Sequence, residues 1–293
     1  MATAVFDPAR LSRAPHRRSL RLGDLTISYV PDGLVRLKPR GWLPAADWAA
    51  YPDHLDADGF LVAGIGGLLV ERGDRALLID TGFGPESHDD DPANPLLGRV
   101  YGGELPDSLR RLGREPRRIE AVAITHLHTD HLGWTWSAES GTDAFPFAHA
   151  THFVAAPEWE RRELAAEGGA TGERLAAFAP RVHTVEDGEE IFPGVRASFA
   201  TGHTVGHTTY TITGGGRRLL AFGDALHSPV QVAHPEWSCG IDHDPAESAE
   251  HRRRLVEELS RPDTIGYGGH FADVVFGRAA RRPDGRFTWV PVA

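Results

Sequence analysis

One stretch, "AVAITHLHTDHLGWTW" at residues 121–136, constrains this chain more than any other part of it. An apolar run typical of a buried strand leads directly into His126, His128, Asp130 and His131. In an extended segment alternate side chains share a face, so the first two histidines can point at one place. A turn after them can direct Asp130 and His131 to another. The stretch therefore predicts two adjacent cation sites, because imidazole nitrogen and carboxylate oxygen are preferred ligands of zinc and similar metals.

Chance is a poor explanation of this pattern, although the chain has 16 histidines. At the chain's own histidine and aspartate frequencies, an HxHxDH match is expected roughly 0.003 times per sequence. Three later stretches also put a ligand-type residue where a predicted strand becomes a loop. They are "TGHTVGHT" with His203, "AFGDALH" with Asp224 and "GYGGHF" with His270. We expect all three to converge on one sheet edge, where the glycines before them let the backbone come close to a metal cluster.

Short apolar and β-branched runs between turn residues recur along the whole chain. The predicted strands are 25–30, 60–71, 75–80, 120–125, 151–156, 195–201, 208–213, 218–223 and 264–269. The predicted helices are "LPDSLRRLG", "APEWERRELAAEG" and "DPAESAEHRRRLVEELSR", the last with Asp244 as N-cap and Pro245 at its first position. Two stretches, 36–59 and 82–104, are predicted to be long loops, and loops of that length are commonly functional.

Domain organisation follows from length and from the lack of a linker. At 293 residues the chain can form one large layered α/β domain, and no Gly/Ser segment divides it. We predict a flexible leader over residues 1–20 and a single domain over 21–293. The leader has no apolar core of a signal peptide, and no apolar run approaches the ~18 residues that span a bilayer. We therefore expect a cytoplasmic protein that does not cross a membrane.

Composition excludes some functions. A net charge of −10 disfavours polyanions, so nucleic acid is not an expected partner. The only cysteine, Cys239, excludes an internal disulfide and has no signature of a catalytic nucleophile around it. No G-x-S-x-G elbow occurs, so serine catalysis has no support.

The order HxHxDH, His, Asp, His resembles the metallo-β-lactamase superfamily, from "LLIDTG" at 77–82 to "GGHF" at 268–271. The resemblance implies an α/β fold, the four-layer αβ/βα sandwich, in which two mixed β-sheets are flanked by helices. It also implies two divalent metal ions, zinc first, with iron, manganese or cobalt as alternatives. Matching positions assign His126, His128 and His203 to one metal, Asp130, His131 and His270 to the other, and Asp224 to both.

Three further residues near the motifs receive separate interpretations. In the family's G-H-T-x-G-H pattern the first histidine is the ligand, which leaves His207 as a supporting residue. Asp80 in "LLIDTG" resembles a carboxylate that orients a ligand histidine, and a simple turn or cap is an equal alternative. His227 follows the shared aspartate by three positions, where related lactonases carry a tyrosine. It is a candidate proton or hydrogen-bond donor, with a structural role equally open. The remaining histidines are expected to be structural or solvated.

Two metal ions sharing Asp224 imply a bridging hydroxide as nucleophile and Lewis-acid activation of a carbonyl, with Asp130 passing the proton. The layout most resembles N-acyl-homoserine lactone lactonases and the methyl parathion hydrolase group. We therefore expect a lactone or a carboxylic ester of an apolar small molecule as substrate. Thioesterase, phosphotriesterase and β-lactamase activities on the same site are alternatives. An iron-dependent oxidoreductase and a non-enzymatic metal-binding protein are rivals of a different class.

Aromatic residues near the motifs could line an apolar pocket above the metals. The candidates are Trp42, Trp48, Trp134, Trp136, Trp237 and Phe271. For each of them a place in the core is the alternative. In the resembling enzymes the connection corresponding to 36–59 approaches the metal cleft, so contact of Trp42 and Trp48 with substrate is one hypothesis and a place in the core is the other. A homodimer is left open.

Overall fold

The computed structural model describes residues 7–292, and within this range the chain forms two mixed β-sheets packed face to face. The first sheet has the order β5-β6-β2-β3-β4-β7-β8-β9, with β1 paired to β2. Its strands are β1 (Arg18–Leu22), β2 (Leu25–Leu37), β3 (Leu61–Arg72), β4 (Arg75–Ile79), β5 (Ser87–His88), β6 (Leu97–Tyr101), β7 (Ala121–Ala123), β8 (Thr151–Ala155) and β9 (Val182–Val185). The pairs β4–β7, β7–β8 and β8–β9 are parallel, and the other pairs of this sheet are antiparallel.

The second sheet follows the chain order, and one of its strand pairs is parallel. Its strands are β10 (Glu190–Phe192), β11 (Val195–Phe199), β12 (Thr208–Gly214), β13 (Arg217–Ala221), β14 (Thr264–Tyr267), β15 (Phe276–Arg281) and β16 (Phe287–Pro291). Strands β13 and β14 form the parallel pair. The helices of the described range are α1 (Pro39–Trp42), α2 (Leu105–Arg111), α3 (Thr129–Trp136), α4 (Ala156–Glu160), α5 (Gly172–Phe178), α6 (Val230–Ala233) and α7 (Pro245–Leu259).

Strand β3 shows why the layers stack as they do, because it is apolar on both faces. Leu68 and Val70 pack between the sheets against residues of the second sheet such as Tyr210. Leu69 points the other way, into a cluster that helices α2, α3 and α5 share. A strand covered on both faces is a near-continuous apolar run, as the segment 60–71 is. Helix α7 covers the outer face of the second sheet in the same manner, through residues such as Val256.

All nine predicted strands overlap an observed one. Helix α7 is capped as predicted, because Asp244 accepts hydrogen bonds from the amides of Ala246 and Glu247, each at 3.0 Å. The fold class predicted from the sequence is confirmed. Two predicted elements differ from the observed ones. The predicted loop 82–104 contains strands β5 and β6, and the predicted helix 156–168 divides into α4 and a 3₁₀ helix, Arg162–Gly168. Gly169, with a φ of +90°, is the C-cap of this 3₁₀ helix.

The N-terminal segment differs from the expected flexible leader. Residues 1–6 lie outside the described range, but Pro8–Ser12 forms a 3₁₀ helix and Arg18–Leu22 is a strand paired with β2. The domain boundary at residue 21 therefore falls inside a β-strand. The extent of the single domain stays a prediction, and both sheets contribute to one shared core cluster. Within residues 7–292 none of the helices has the length and apolar character needed to cross a bilayer.

Candidate active site

All seven predicted ligand residues lie close together, at one edge of the sandwich. His126 and His128 follow β7 of the first sheet, while Asp224 and His270 follow the parallel pair β13 and β14 of the second, so strand ends of both sheets contribute to the site. His203 lies in the connection between β11 and β12. Asp130 and His131 lie in the first turn of α3 rather than on a simple turn.

Helix α3 can stand this close to the cleft because of one glycine. A Cβ at Gly133 would lie 1.9 Å from the carbonyl carbon of Phe83, so only glycine permits the approach. The amide of Gly133 donates to the carbonyl of Gly82 at 2.7 Å, and the amide of Thr81 donates to that of His131 at 2.7 Å. The stretch after β4 and the helix that presents His131 are thereby fixed to each other.

The ligand atoms form two groups that meet at Asp224. In the first group His126, His128, His203 and Asp224 each offer an atom within 4.8 Å of the others, and in the second Asp130, His131 and His270 do so. Oδ1 of Asp224 lies 3.2 Å from Nε2 of His131 and 3.1 Å from Nε2 of His270. Its Oδ2 lies 3.5 Å from Nε2 of His203. This carboxylate thus contacts both groups.

Three of the imidazoles are oriented by a hydrogen bond at Nδ1. The Nδ1–H of His131 donates to Oδ2 of Asp80 at 2.8 Å, and that of His203 donates to Oδ1 of Asp242 at 2.9 Å. The Nδ1–H of His270 donates to the carbonyl of Gly64 at 2.7 Å. A neutral imidazole that donates at Nδ1 has its lone pair at Nε2, and each Nε2 lies near Asp224.

Unpaired buried atoms at the centre fit a divalent cation. Nε2 of His126, Nε2 of His131 and Oδ1 of Asp224 are buried without a hydrogen-bond partner among the described residues. Burying such atoms unpaired is costly, and two metal ions, one beside each ligand group, would give all three a partner. Nδ1 of His128 and Nε2 of His203 also lie only 3.2 Å apart, as two ligands of one ion do. The donor set is therefore suited to divalent metals.

The pKa shifts of these residues are consistent with the binding of a cation. Burial, together with neighbouring histidines, holds the pKa of His126 well below its usual value and lowers the pKa of His128 to about 3. Both stay neutral, which is the form that binds metal. Burial would raise the pKa of Asp224, but the surrounding histidines hold it well below its usual value. Asp224 is therefore ionised at neutral pH. The pKa of His270 is raised to about 9 because, despite burial, the Asp224 carboxylate attracts positive charge to this place.

Asp80 and Asp242 each support one ligand histidine, and only the first was a candidate from the sequence. Asp80 also accepts from the Thr125 amide at 2.8 Å and from its hydroxyl at 2.9 Å. Asp242 accepts from the Cys239 thiol at 3.1 Å and pairs with Arg252 at 3.2 Å, both partners fully buried. No periodicity or motif in "SCGIDHD" marks this aspartate.

Glu158 is another residue that sequence reasoning missed. It lies in α4, and its carboxylate accepts from the Leu127 amide at 3.0 Å and from the Gly206 amide at 2.7 Å. Leu127 lies between two predicted ligands, and Gly206 follows His203 by three residues. Glu158 therefore ties the two ligand-bearing loops together.

His207 lies beside the centre, whereas His227 contacts the shared aspartate and forms a third group of ligand-type atoms with His203 and Cys239. The His207 ring donates from Nδ1 to the carbonyl of Ala200 at 3.1 Å and accepts at Nε2 from the Asp224 amide at 3.0 Å. It supports the backbone of the shared aspartate. Nε2 of His227 lies 3.2 Å from Oδ2 of Asp224, and its ring contacts Trp42 edge-on at 5.2 Å. His227 is buried and is not among the residues that line the cleft.

A cleft of about 820 Å³ opens over the ligand groups. One wall is apolar and comes mainly from β2, β3, β6 and the segment after β2. Its residues are Val35, Leu37, Trp42, Ala63, Ile65, Phe83, Leu96, Leu97 and Val100. Trp42 is the one candidate aromatic on this wall. Trp48 and Trp237 pack behind it, and Trp134, Trp136 and Phe271 pack in core clusters under the helices.

Comparisons with known proteins identify the family of this chain. A family model described as the metallo-beta-lactamase superfamily matches residues 68–270. N-acyl homoserine lactonase AiiB of Agrobacterium fabrum is 28% identical over 231 residues, which are 68% of this chain and 77% of the relative. Hydroxyacylglutathione hydrolase of Pseudomonas entomophila is 29% identical over 137 residues, 46% of this chain and 45% of the relative.

Solved structures share the fold over nearly the whole length. AidC, described as a dizinc quorum-quenching lactonase in complex with a product, has a TM-score of 0.79 at 22% identity and covers 97% of this chain and 99% of its own. Hydrolase AbOPH has a TM-score of 0.78 at 22% identity, with 96% and 99% covered. The family match and the sequence relatives identify a metal-dependent hydrolase. This chain belongs to the metallo-β-lactamase superfamily.

Proposed function

We propose that this chain is a dinuclear metal hydrolase that opens a lactone, or cleaves a carboxylic ester, of an apolar small molecule. The observation that carries the proposal is the sharing of Asp224 by two groups of ligand atoms beneath a cleft with one apolar wall. We assign His126, His128 and His203 to one ion, Asp130, His131 and His270 to the other, and Asp224 to both.

When bound, two divalent ions, which we propose to be zinc, would supply a nucleophile from water at neutral pH and polarise the substrate carbonyl. The protein's own contribution is orientation. Asp80, Asp242 and the Gly64 carbonyl hold three imidazoles so that Nε2 points inward. Precise placement of reacting groups is a large part of catalysis.

We assign proton transfer to Asp130. It lines the cleft, is half-buried, and its Oδ2 lies 3.6 Å from Nε2 of His270. As the water oxygen bonds to the carbonyl carbon and the ring C–O bond breaks, this carboxylate can take the water's proton and return it to the leaving alkoxide. His227, which contacts Asp224 rather than the cleft, is proposed to influence the reaction through that carboxylate.

The cleft supports an apolar substrate. A volume of about 820 Å³ lies in the range of small-molecule pockets, and the side chains that line the cleft between positions 35 and 65 are all uncharged. Relatives named as N-acyl homoserine lactonases support a lactone. The relative named as hydroxyacylglutathione hydrolase supports thioesters as a second substrate class.

The test has two measurements on purified, metal-replete protein. Elemental analysis should find close to two divalent ions per chain, and a panel of lactones, esters, thioesters, phosphotriesters and β-lactams should give the fastest turnover with a lactone or ester. His203→Ala and Asp224→Ala should each abolish that turnover, whereas His183→Ala, an exposed histidine on β9, should not. Substantial turnover by either ligand variant would contradict the proposal, and so would one ion per chain. Oxygen consumption without hydrolysis would favour an iron oxidoreductase.

A further inference from the structure

We propose that residues 8–18, here called the N-terminal strap, hold the metal ligand His270 in position. Asp273 is the positioning residue through which the strap acts. The inference rests on the proposed role of His270 as a ligand, but it concerns a part of the chain that no sequence motif connects with the site.

Asp273 is the anchor of the strap. Its carboxylate is buried and follows His270 by three residues. Arg10 approaches Oδ2 at 3.1 Å and also donates to the Asp273 carbonyl, while Arg18 approaches Oδ1 at 3.0 Å. Arg13 lies at 3.4 Å from Oδ2. Three guanidinium groups around one carboxylate fix its position far more firmly than a single exposed ion pair would.

The turn between His270 and Asp273 needs such an anchor. Ala272 has a φ of +41°, a left-handed conformation that is strained for a non-glycine residue. The Ala272 amide donates to the His270 carbonyl at 2.9 Å, so the strained residue is coupled directly to the ligand. A turn of this kind persists only where its surroundings hold it. The arginine contacts of Asp273 supply that restraint on one side.

The strap also touches the other support of His270. The ring donates from Nδ1 to the carbonyl of Gly64, and a Cβ at Gly64 would lie only 2.5 Å from Cγ of Pro15 and 2.8 Å from the carbonyl of Gly269. Pro15 therefore packs directly on the backbone that orients the imidazole. The strap therefore contacts the Gly64 backbone, which accepts the hydrogen bond of the His270 ring, and through Asp273 it also holds the turn that follows His270.

Metal retention distinguishes positioning from plain stabilisation. In zinc-loaded protein, we would measure the zinc released to a chromogenic chelator, and the melting temperature, for Asp273→Asn and for the double variant Arg10→Gln/Arg18→Gln. Arg114→Gln is the matched control, because Arg114 pairs with Glu71 at 2.6 Å, is also partly buried, and lies at the opposite end of β3 from Gly64. His270→Ala is the reference for loss of the ligand itself.

We expect one of two zinc ions to leave Asp273→Asn and the double arginine variant about 10-fold faster than wild type, the usual scale for removing support from a metal ligand. Arg114→Gln should release zinc at the wild-type rate even if its melting temperature falls as far. If Asp273→Asn does not fold, the double variant decides the matter. Release at the wild-type rate from folded strap variants would overturn the inference. Full zinc retention by His270→Ala would instead refute the proposed ligand set.

Discussion

His131 and His203 belong to different ligand groups, yet a carboxylate holds the Nδ1 of each at nearly the same distance, 2.8 Å for Asp80 and 2.9 Å for Asp242. Asp80 directly follows a buried strand and is held by the amide and hydroxyl of Thr125. Asp242 lies in an irregular connection between α6 and α7, fully buried beside Arg252.

The two carboxylates orient an imidazole in the same way, but each is stabilised differently in its own surroundings. A carboxylate at a strand end finds backbone donors nearby. A carboxylate in an irregular buried segment needs a countercharge, because an unpaired buried charge is strongly unfavourable. Burial would raise the pKa of Asp242, but His203 and Arg252 hold it well below the usual range. Helix α7 thus supports the active site through one side chain.

The largest expected effect is the loss of this countercharge. Arg252→Met leaves Asp242 buried without its countercharge, so the free energy of unfolding should fall by about 3–5 kcal/mol in urea denaturation. Arg253→Met, which removes an exposed ion pair with Glu250 on the same helix, should change it little. Equal effects of the two variants would mean that the Arg252 pair is not needed.

A third histidine shows what a buried imidazole does without any carboxylate. His152 in β8 is buried with neither ring nitrogen hydrogen-bonded, and burial, with a smaller effect of Arg181, lowers its pKa to about 4. Below pH 6.5 the unfolded chain binds a proton that the folded chain does not. Stability should therefore fall as pH drops from 6.5 to 4, by up to about 3 kcal/mol from this residue.

His152→Phe isolates that contribution, since the ring already packs near Phe178 at 5.5 Å. Urea unfolding of wild type and variant from pH 7 to pH 4 should show curves that diverge as pH falls, with the variant losing less stability. Parallel curves would show that His152 does not titrate in this manner.

The two supports can be compared directly by Asp80→Asn and Asp242→Asn. Each should weaken metal binding about 10–100-fold, because the imidazole loses its charged partner. Only Asp242→Asn should also lower the melting temperature markedly, since it leaves Arg252 without its carboxylate. Competition with a chelator of known zinc affinity and thermal denaturation give the two readouts. An equal loss of melting temperature in both variants would show that Asp80 and Asp242 contribute alike to stability.

The smallest expected effect concerns the thiol. Cys239→Ala removes the donor to Oδ1 of Asp242 and should cost about 1 kcal/mol of stability, whereas Cys239→Ser keeps a donor and should cost less. Denaturation by urea measures both. A serine variant less stable than the alanine variant would indicate that packing, not the hydrogen bond, is what Cys239 contributes.

Many strands and helices could be predicted from the sequence because the signals that mark them are local. Strand-like runs such as 60–71 and 75–80 predicted β3 and β4, and the capped start of α7 followed from Asp244 and Pro245. Strand β6 was missed inside a predicted loop. Its segment "LGRVY" is one of the outer strands of the sheet and mixes glycine and arginine with apolar residues, so it carries no clear period.

The sequence by itself determined which residues can bind metal and the order in which they occur, because the HxHxDH spacing and the strand ends are local features. Only the tertiary structure decided which groups support them. Asp242 lies 39 positions from His203, and Arg10 lies 263 positions from Asp273. Trp134 follows the motif directly, yet its indole donates to Asp32, 102 positions away, and lies in the core, whereas Trp42 lines the cleft. Such contacts depend on how whole layers pack, and a local pattern does not show which distant residue will lie against a given side chain once the layers meet.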